Sequence, residues 1–370
     1  MPRCDKKVIS FLLTSRCNMS CSYCYVERRT EHKILDWNFA KRVLNDYVSN
    51  GGIDSIRFFA AGEPTTEMKL LKKIYHEAKG LNSEIKTEIQ TNGMFDKNTA
   101  EWLGRNMDHI YVSVDLLPED HDKYRLTADG KASSPLILDN LSYLRDMPGR
   151  KAKVGIRATI SERNIRRQKE AIDLYSGNYG IDLFWVDPIF LPVSNIDKRT
   201  CGSVNMMDFA VAFVDAHKHA WERGVFYESN LTMNFDRETD KACHACLPMP
   251  NLTMDGYLSA CEMATHGKDA GKMDPMIYAH YDHENDMIIY DREKMKRLTC
   301  RVLSAMPVCC HTCVAGKHCA GFCLGEVLNE SGNLFGVKAS VCDAVRHIYT
   351  EIGHLYHERF GDAGFPHEHP

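Results

Sequence analysis

Three cysteines lie close together near the start of the chain, in the segment Cys17-Asn-Met-Ser-Cys21-Ser-Tyr-Cys24. This spacing places three thiolates on one short loop, where they can bind three irons of a single 4Fe–4S cube. The fourth iron then has no protein ligand. A metal position without a protein ligand can bind a reactant. Zinc sites show the same difference, because structural sites are fully coordinated by protein and catalytic sites keep one position free. The spacing therefore predicts a catalytic iron–sulfur cluster.

Further cysteines cluster in the C-terminal half, within residues 243–261 and from residue 300 onward, in a chain that has 15 cysteines in all. In a reducing cytoplasm such dense cysteine usage indicates metal binding rather than disulfides. Two Cys-x-x-Cys pairs are also typical of zinc ribbons, so structural zinc is the alternative to iron–sulfur clusters. One ribbon uses four thiolates and would leave the others unexplained.

Composition and charge favour an ordinary globular chain. Of its 370 residues, 44% are hydrophobic and 26% are charged, with a net charge of −4. With 50 acidic against 46 basic residues and no long basic run, we expect no nucleic-acid partner. The apolar stretch at residues 8–13 is too short for a signal peptide core or a membrane span, which predicts a cytoplasmic protein without a membrane partner.

The cysteine loop directly follows the first of six predicted strands. Amphipathic stretches that we interpret as helices, such as residues 37–48 and 68–79, separate these strands. This alternation predicts an α/β fold, a partial (β/α)6 barrel of the TIM type with its chemistry at the carboxyl ends of the strands. We place the barrel at residues 1–200, with the alternation ending after Pro192. The strands are predicted at residues 8–14, 55–60, 85–90, 110–115, 154–160 and 183–186.

The cysteine loop resembles that of the radical S-adenosylmethionine (SAM) superfamily, which has an aromatic residue, here Tyr23, before the last cysteine. In that family the strand-end backbone and glutamate of a GGEP segment bind the methionine amino group. This chain has Ala61-Gly62-Glu63-Pro64 after its second strand. Ala61 replaces the first glycine, and alanine adopts positive φ far less readily than glycine. The replacement therefore puts the local backbone shape in doubt more than it does cofactor binding.

Three further positions at strand ends resemble the cofactor site of the family. Asn92, in Gln-Thr-Asn-Gly after the third strand, is similar to the TNG segment. Ser113 and Asp115, at the end of the fourth strand, are similar to an SxD segment whose side chains face the ribose and the methionine carboxylate. Arg157 alternates with core-facing residues of the fifth strand and could pair with that carboxylate through two hydrogen bonds. A surface arginine is the alternative.

The resemblance implies a specific radical chemistry. The cluster passes an electron to SAM, which releases methionine and a 5′-deoxyadenosyl radical that abstracts a substrate hydrogen atom. The protein then has to orient the reactants and exclude water and oxygen. Anaerobic conditions and an external electron donor, such as flavodoxin or ferredoxin, are implied as well.

The C-terminal cysteines resemble the SPASM domain of peptide- and protein-modifying radical SAM enzymes. We place this domain at residues 243–350, after a linker helix region at 201–242 and before a helix end and tail at 351–370. The resemblance implies two auxiliary clusters and three 4Fe–4S clusters in all. Cys309 lies next to Cys310 and makes the register ambiguous by one residue. The implied ligands are Cys243, Cys246, Cys261 and Cys323 for the first auxiliary cluster and Cys310, Cys313, Cys319 and Cys342 for the second.

Two residues are candidates for catalysis. Glu262 follows Cys261, where the anaerobic sulfatase-maturing enzymes that this chain resembles have an aspartate that acts as a base. A carboxylate in a pocket beside a cluster could remove a proton, and a supporting or surface role is the alternative. Cys201, after the sixth strand, could donate a hydrogen atom as in radical epimerases, or be an ordinary thiol.

Together these features predict an enzyme that oxidatively modifies, by crosslinking, a residue of a ribosomally made peptide. A barrel that starts at residue 8 leaves no room upstream for a recognition domain. We therefore expect leader binding by the barrel, by the C-terminal domain or by a separate leader-binding protein. The alternatives are an anaerobic sulfatase maturase that makes formylglycine, a small-molecule dehydrogenase or epimerase, and an iron–sulfur electron carrier without catalysis of its own.

Overall fold

Parallel strands alternate with helices in the N-terminal part of the protein. The computed structural model describes residues 7–24, 26, 32–49, 52–59, 61–189, 204–268 and 270–360. The strands here are β1 (Val8–Leu12), β2 (Ser55–Phe59), β3 (Lys86–Thr91), β4 (His109–Ser113), β5 (Lys153–Ile160), β6 (Leu183–Pro188) and β7 (Phe226–Glu228). The helices are α1 (Trp37–Val48), α2 (Met68–Leu81), α3 (Lys97–Asn106), α4 (Pro118–Tyr124), α5 (Ser134–Asp146), α6 (Gln168–Tyr179) and α7 (Met206–Glu222).

Local sequence explains why these helices form and which side they bury. Helix α1 begins at an aspartate cap, because the Asp36 carboxylate accepts a 2.8 Å hydrogen bond from the amide of Phe39. Phe39, Val43 and Leu44 then fall on one face and are fully buried. That face packs on the sheet and leaves the polar side chains of the helix toward solvent.

Successive side chains of a strand point to opposite sides of the sheet. On β5, Ile156 and Ala158 are buried in the hydrophobic core, whereas Arg157 and Thr159 line the interior of the barrel. The register pairs Arg157 with Ser113 of the neighbouring strand β4. The alternation therefore brings polar side chains of adjacent strands to one level inside the barrel.

The six predicted strands are present, and each of them pairs in parallel with the next. The expectation that the alternation ends after Pro192 is wrong, because α7 is followed by a seventh parallel strand, β7, which pairs with β6. This strand has three residues, too few to show a hydrophobic period of two. Both elements lie inside the region interpreted from sequence as a linker, residues 201–242.

The C-terminal half extends the same sheet. Strand β8 pairs in parallel with β1, so that one sheet runs in the order β11-β10-β9-β8-β1-β2-β3-β4-β5-β6-β7. None of the described helices is long and apolar enough to cross a bilayer. The strands are β8 (Asn251–Leu252), β9 (Tyr257–Ser259), β10 (Ile277–Asp282) and β11 (Met287–Tyr290), and the helices are α8 (Arg292–Thr299), α9 (Val308–His311), α10 (Gly316–Cys319), α11 (Leu324–Ser331) and α12 (Ala339–Phe360).

Helix α12, the last of the described helices, packs along α7. Its Tyr356 is fully buried and donates a 2.6 Å hydrogen bond to Glu228 at the end of β7. The same carboxylate oxygen accepts a 2.6 Å hydrogen bond from Thr232. The last helix is thus fixed to the barrel at the strand end next to the site described below.

Candidate active site

A cavity of about 300 Å³ opens at the carboxyl ends of the parallel strands. Its wall comprises the loop after β1, the turns after β2 and β3, and residues at the ends of β4, β5 and β6. Glu262, Met263, Cys323 and Glu326 from the C-terminal half complete the lining. Parallel barrels place their active sites at this end. We therefore take this cavity as the candidate active site.

The three thiols of the loop after β1 line this cavity. The segment after α4 holds the loop, since the Ser20 amide donates to the Leu126 carbonyl at 2.8 Å and the Ser22 amide to the Tyr124 carbonyl at 2.9 Å. Three thiols at the edge of an open cavity fit a cube with three protein ligands and one free iron. The thiols belong to Cys17, Cys21 and Cys24.

The turn after β2 packs directly on the cysteine loop. A side chain at Gly62 would place its Cβ 2.2 Å from the carbonyl oxygen of Arg16, so only glycine allows this approach. The amide of Glu63 donates to the same oxygen at 2.8 Å. Ala61, which stands where the family has glycine, packs with Leu12 in a small apolar cluster. The alanine methyl group is therefore accommodated by apolar contacts.

Glu63 lines the cavity with a carboxylate that is fixed in place. Its Oε1 accepts hydrogen bonds from the Thr65 amide at 3.0 Å and the Thr91 hydroxyl at 2.7 Å, and its Oε2 accepts one from the Asn92 amide at 2.7 Å. Burial raises the pKa of Glu63, and these hydrogen bonds oppose the shift. The Asn92 side chain donates to Asn18 of the cysteine loop at 2.7 Å. A buried carboxylate of this kind suits a cationic ligand group.

Tyr23 links the cysteine loop to the barrel. Its hydroxyl donates to Asp115 Oδ2 at 2.5 Å and accepts a hydrogen bond from Arg125 Nη1 at 2.8 Å. The other oxygen of Asp115 accepts from the Thr159 amide at 3.1 Å. Asp115 lies behind Tyr23 and is not among the residues that line the cavity, so its implied contact with the cofactor stays a prediction. Ser113 does line the cavity.

Arg157 belongs to the cavity wall and not to the outer surface, since 19% of its side chain is exposed. Its Nη2 donates to Asp187 Oδ2 at 3.1 Å, and Trp185 Nε1 donates to the same oxygen at 3.0 Å. Asp187 Oδ1 accepts from the Asn230 amide at 2.8 Å. The carboxylate of Asp187 therefore orients the Arg157 guanidinium. A guanidinium has five N–H donors, so others besides the one bound to Asp187 can bind a ligand.

Several lining residues escaped the sequence interpretation. Asp187 and Asn230 lie at the end of β6 and just after β7, and Arg125 follows α4. The alternation of side chains along β6 could have indicated Asp187. Asn230 follows β7, a strand that the sequence did not predict. Pro64, which the resemblance includes in the cofactor segment, is buried in a short 3-10 turn, Pro64–Glu67, outside the lining.

Glu262 lines the cavity from the C-terminal half and is 2% exposed. Neither of its carboxylate oxygens has a hydrogen-bond partner among the described residues. His244 Nε2 lies 3.6 Å from Oε2. Burial by itself would raise the pKa of Glu262, but His244 and the Arg57 guanidinium outweigh it and hold that pKa below its ordinary value. Two basic neighbours thus favour the negative charge of a carboxylate that faces the cavity.

The four cysteines implied for the first auxiliary cluster lie close together and are at most 7% exposed. Hydrogen bonding to Cys246, burial, and the thiols of Cys323 and Cys261 all raise the pKa of Cys243. The influence of the other three thiols on Cys243 places them in its neighbourhood. Because Cys323 also lines the reaction cavity, this group borders the candidate active site.

A smaller cavity of about 60 Å³ gathers the cysteines implied for the second auxiliary cluster. Cys309 and Cys310 both line it, so the register between them stays open. In the described parts of the chain, no three His, Cys, Asp or Glu side chains lie close enough together to hold a single metal ion. The other lining thiols are Cys313, Cys319 and Cys342. Cys201 lies outside the described residues.

Comparison with known proteins identifies the N-terminal part of the chain. Residues 11–173 match the family model of the Radical SAM superfamily. Fe-coproporphyrin III synthase of Methanosarcina barkeri is 30% identical over 46% of this chain and 41% of its own length. A cysteine-type anaerobic sulfatase-maturating enzyme of Clostridium novyi is 28% identical over 55% of this chain and 57% of its own. The chain therefore spans about half the length of these curated relatives.

Solved structures share the fold over most of the chain. The enzyme anSMEcpe with bound AdoMet superposes with a TM-score of 0.73 at 14% identity, covering 95% of this chain and 99% of that one. Streptococcus suis SuiB bound to the precursor peptide SuiA gives a TM-score of 0.64 at 17% identity, covering 91% and 76%. The likeness confirms the predicted α/β fold with a C-terminal domain. Residues 11–173, which carry the cysteine loop and most of the strand ends around the cavity, form a domain of the radical SAM superfamily.

Proposed function

We propose that this protein is a radical SAM enzyme that oxidatively modifies a residue of a ribosomally made peptide. One observation carries the proposal. A single cavity is lined by the thiols of the cysteine loop, by Glu63 and Arg157, and by Glu262 and Cys323 of the C-terminal half. Groups suited to starting a radical reaction and groups suited to completing an oxidation therefore face the same space.

The chain's own residues fit SAM and a cluster with an open iron. Cys17, Cys21 and Cys24 would hold the cluster, and SAM at its open iron would supply the radical chemistry that removes a hydrogen atom from the substrate. Glu63 would bind the methionine amino group, because its buried carboxylate is preoriented by hydrogen bonds. Arg157 would pair with the methionine carboxylate from a guanidinium fixed by Asp187.

Oxidation of the substrate radical releases one electron and one proton. Glu262 would accept the proton, since its oxygens are buried in the cavity wall without a hydrogen-bond partner among the described residues. Cys323 lines the same wall, so a cluster bound by Cys243, Cys246, Cys261 and Cys323 would lie near enough to receive the electron. A flavodoxin or ferredoxin would return electrons to the cluster of the cysteine loop.

A peptide substrate is supported by two solved structures of similar fold, which hold anSMEcpe with the Cp18Cys peptide and SuiB with its precursor peptide. Crosslinking is our first candidate reaction. Formylglycine formation is the second, favoured by the sulfatase-maturating relative and by the superposition along 99% of anSMEcpe. Two departures weigh against it, Ala61 in the cofactor segment and Glu262 in place of an aspartate.

The test is anaerobic incubation of the reconstituted, reduced protein with SAM and candidate peptides. We expect 5′-deoxyadenosine together with a peptide that has lost hydrogen and carries a new covalent link, seen by fragmentation in the mass spectrometer. An aldehyde-reactive probe that labels the product would identify formylglycine instead. The matched control replaces Cys17, Cys21 and Cys24 by alanine. Absence of 5′-deoxyadenosine under every condition would contradict the proposal and favour an electron carrier.

A further inference from the structure

The reaction cavity has an acidic wall where the C-terminal half of the protein faces it. Among the residues that this half contributes to the lining, Glu262 and Glu326 are carboxylates and none is basic. These two residues form the acidic wall, and they are only 2% and 4% exposed. A buried carboxylate is costly unless a cation or hydrogen-bond donors compensate for its charge. What compensates this wall therefore bears on what the cavity receives.

The two glutamates come from segments that touch each other. Glu326 lies in the first turn of α11, and Glu262 directly follows Cys261. A Cβ placed on Gly325 would lie 2.7 Å from the sulfur of Met263 and 3.1 Å from that of Cys261. The start of α11 therefore lies directly against the segment that carries Glu262, and the two carboxylates belong to one continuous surface.

Two basic side chains stand behind this wall, outside the cavity lining. Lys338 Nζ donates to Glu326 Oε2 at 2.7 Å and lies 3.5 Å from a carboxylate oxygen of Glu330. One ammonium thus faces two carboxylates, and its contact with Glu326 uses only one of the two oxygens. On the other glutamate, His244 Nε2 lies 3.6 Å from Glu262 Oε2, whose carboxylate has no hydrogen-bond partner among the described residues.

Three arginines of the N-terminal half already have partners. Arg57 pairs with Glu88 at 2.7 Å, and Arg157 pairs with Asp187 at 3.1 Å. Arg125 donates to the tyrosine hydroxyl of the cysteine loop at 2.8 Å. None of these three supplies the acidic wall with an unpaired positive charge, so the wall keeps an excess of negative charge toward the cavity.

We propose that the acidic wall binds a cationic side chain of the peptide substrate, a lysine ammonium or an arginine guanidinium, and that Glu326 is the residue that recognises it. This inference rests on the proposed function, because it names the class of peptide that the reaction takes. Ammonium and guanidinium groups have several donors and can bind the oxygen of Glu326 that the contact with Lys338 leaves over. Such charge-assisted hydrogen bonds are stronger than neutral ones and select among peptides.

Three short peptides test this preference. They are trifluoroacetyl-Gly-X-Gly amides in which X is lysine, arginine or norleucine, so that only the side chain can carry a charge. Fluorine NMR titration gives their dissociation constants even where binding is weak. The full-length protein is reconstituted, kept oxidised and saturated with SAM, so that no turnover occurs and the SAM amino group occupies Glu63. We expect at least one cationic peptide to bind roughly 10- to 100-fold more tightly than the norleucine peptide.

The variants E326Q and E330Q separate recognition from support of the helix. Glutamine keeps the size of each side chain, and its amide oxygen can still accept from Lys338. Glu330 contacts the same lysine but lies outside the cavity lining, with 46% of its side chain exposed, which makes E330Q the matched control. We expect E326Q to bind all three peptides about equally, and E330Q to keep the preference of the wild type.

Equal binding of the three peptides by the wild type would overturn the inference, and this comparison needs no variant. No measurable binding of either cationic peptide would overturn it as well. So would a preference that survives in E326Q, or one that is lost to the same extent in E330Q, because the charge of Glu326 would then not be what selects. Failure of the proposed function looks different, since the reduced protein would then form no 5′-deoxyadenosine from SAM with any peptide.

Discussion

Tyr23 and Asp115 share a 2.5 Å hydrogen bond that ties the cysteine loop to the end of β4. Tyr23 immediately precedes Cys24, so this contact lies next to the last thiol of the loop. Arg125 donates to the same hydroxyl at 2.8 Å and keeps the buried carboxylate near a positive charge. The aromatic residue of the motif thus anchors the loop through its hydroxyl, beyond filling space with its ring.

The variant Y23F should destabilise the loop, because it leaves Asp115 and Arg125 buried without their shared partner. We expect a loss of about 1–3 kcal/mol in the free energy of unfolding, the usual cost of such an unsatisfied group. Urea unfolding of the cluster-free protein measures it, and reconstituted Y23F should lose iron faster. The control is Y124F, whose ring centroid lies 6.1 Å from that of Tyr23. Equal stability of the two variants would refute the anchoring role.

The variant E63Q should weaken SAM binding. Glutamine removes the charge that faces a cationic amino group and cannot accept from Asn92 with its amide nitrogen. A charged hydrogen bond is worth about 1.5–3 kcal/mol, which corresponds to a rise in Kd of roughly 10- to 100-fold. Calorimetric titration of the reconstituted protein measures the change. E67Q is the control, because Glu67 lies outside the cavity lining and 3.6 Å from Arg16. An equal loss in both variants would contradict a specific role for Glu63.

The sequence predicted the parts of the site that depend on local pattern. The cysteine loop and Gly62-Glu63 follow directly on strands with clear hydrophobic runs, so their position at one edge of the barrel could be inferred. Asn230 could not be found in this way, since it follows the three-residue strand β7. Alternation on β6 could have indicated Asp187 as a lining residue, but its role depends on side-chain contacts with Arg157 and the Asn230 amide. For the same reason sequence could not show that Asp115 faces Tyr23 and lies outside the cavity lining.

Iron analysis of C309A and C310A resolves the register of the second auxiliary site. Cys310 is less exposed than Cys309, although both line the small cavity. We therefore expect about twelve irons per chain in the wild type and in C309A, and about eight in C310A, because each 4Fe–4S cluster accounts for four. The opposite pattern would assign Cys309 as the ligand. Zinc in place of the auxiliary irons in the wild type would overturn both assignments.

The variant E262Q should separate radical formation from product formation. Glutamine keeps the shape of the side chain but cannot accept the proton that leaves the substrate, while the cysteine loop, Glu63 and Arg157 are untouched. We expect 5′-deoxyadenosine to form still, whereas modified peptide falls by about 10²- to 10⁴-fold, the range for loss of a general base. E262D should retain part of the activity, and E293Q, an exposed carboxylate in the first turn of α8, should retain all of it. Unchanged product formation by E262Q would show that the proton leaves by another route.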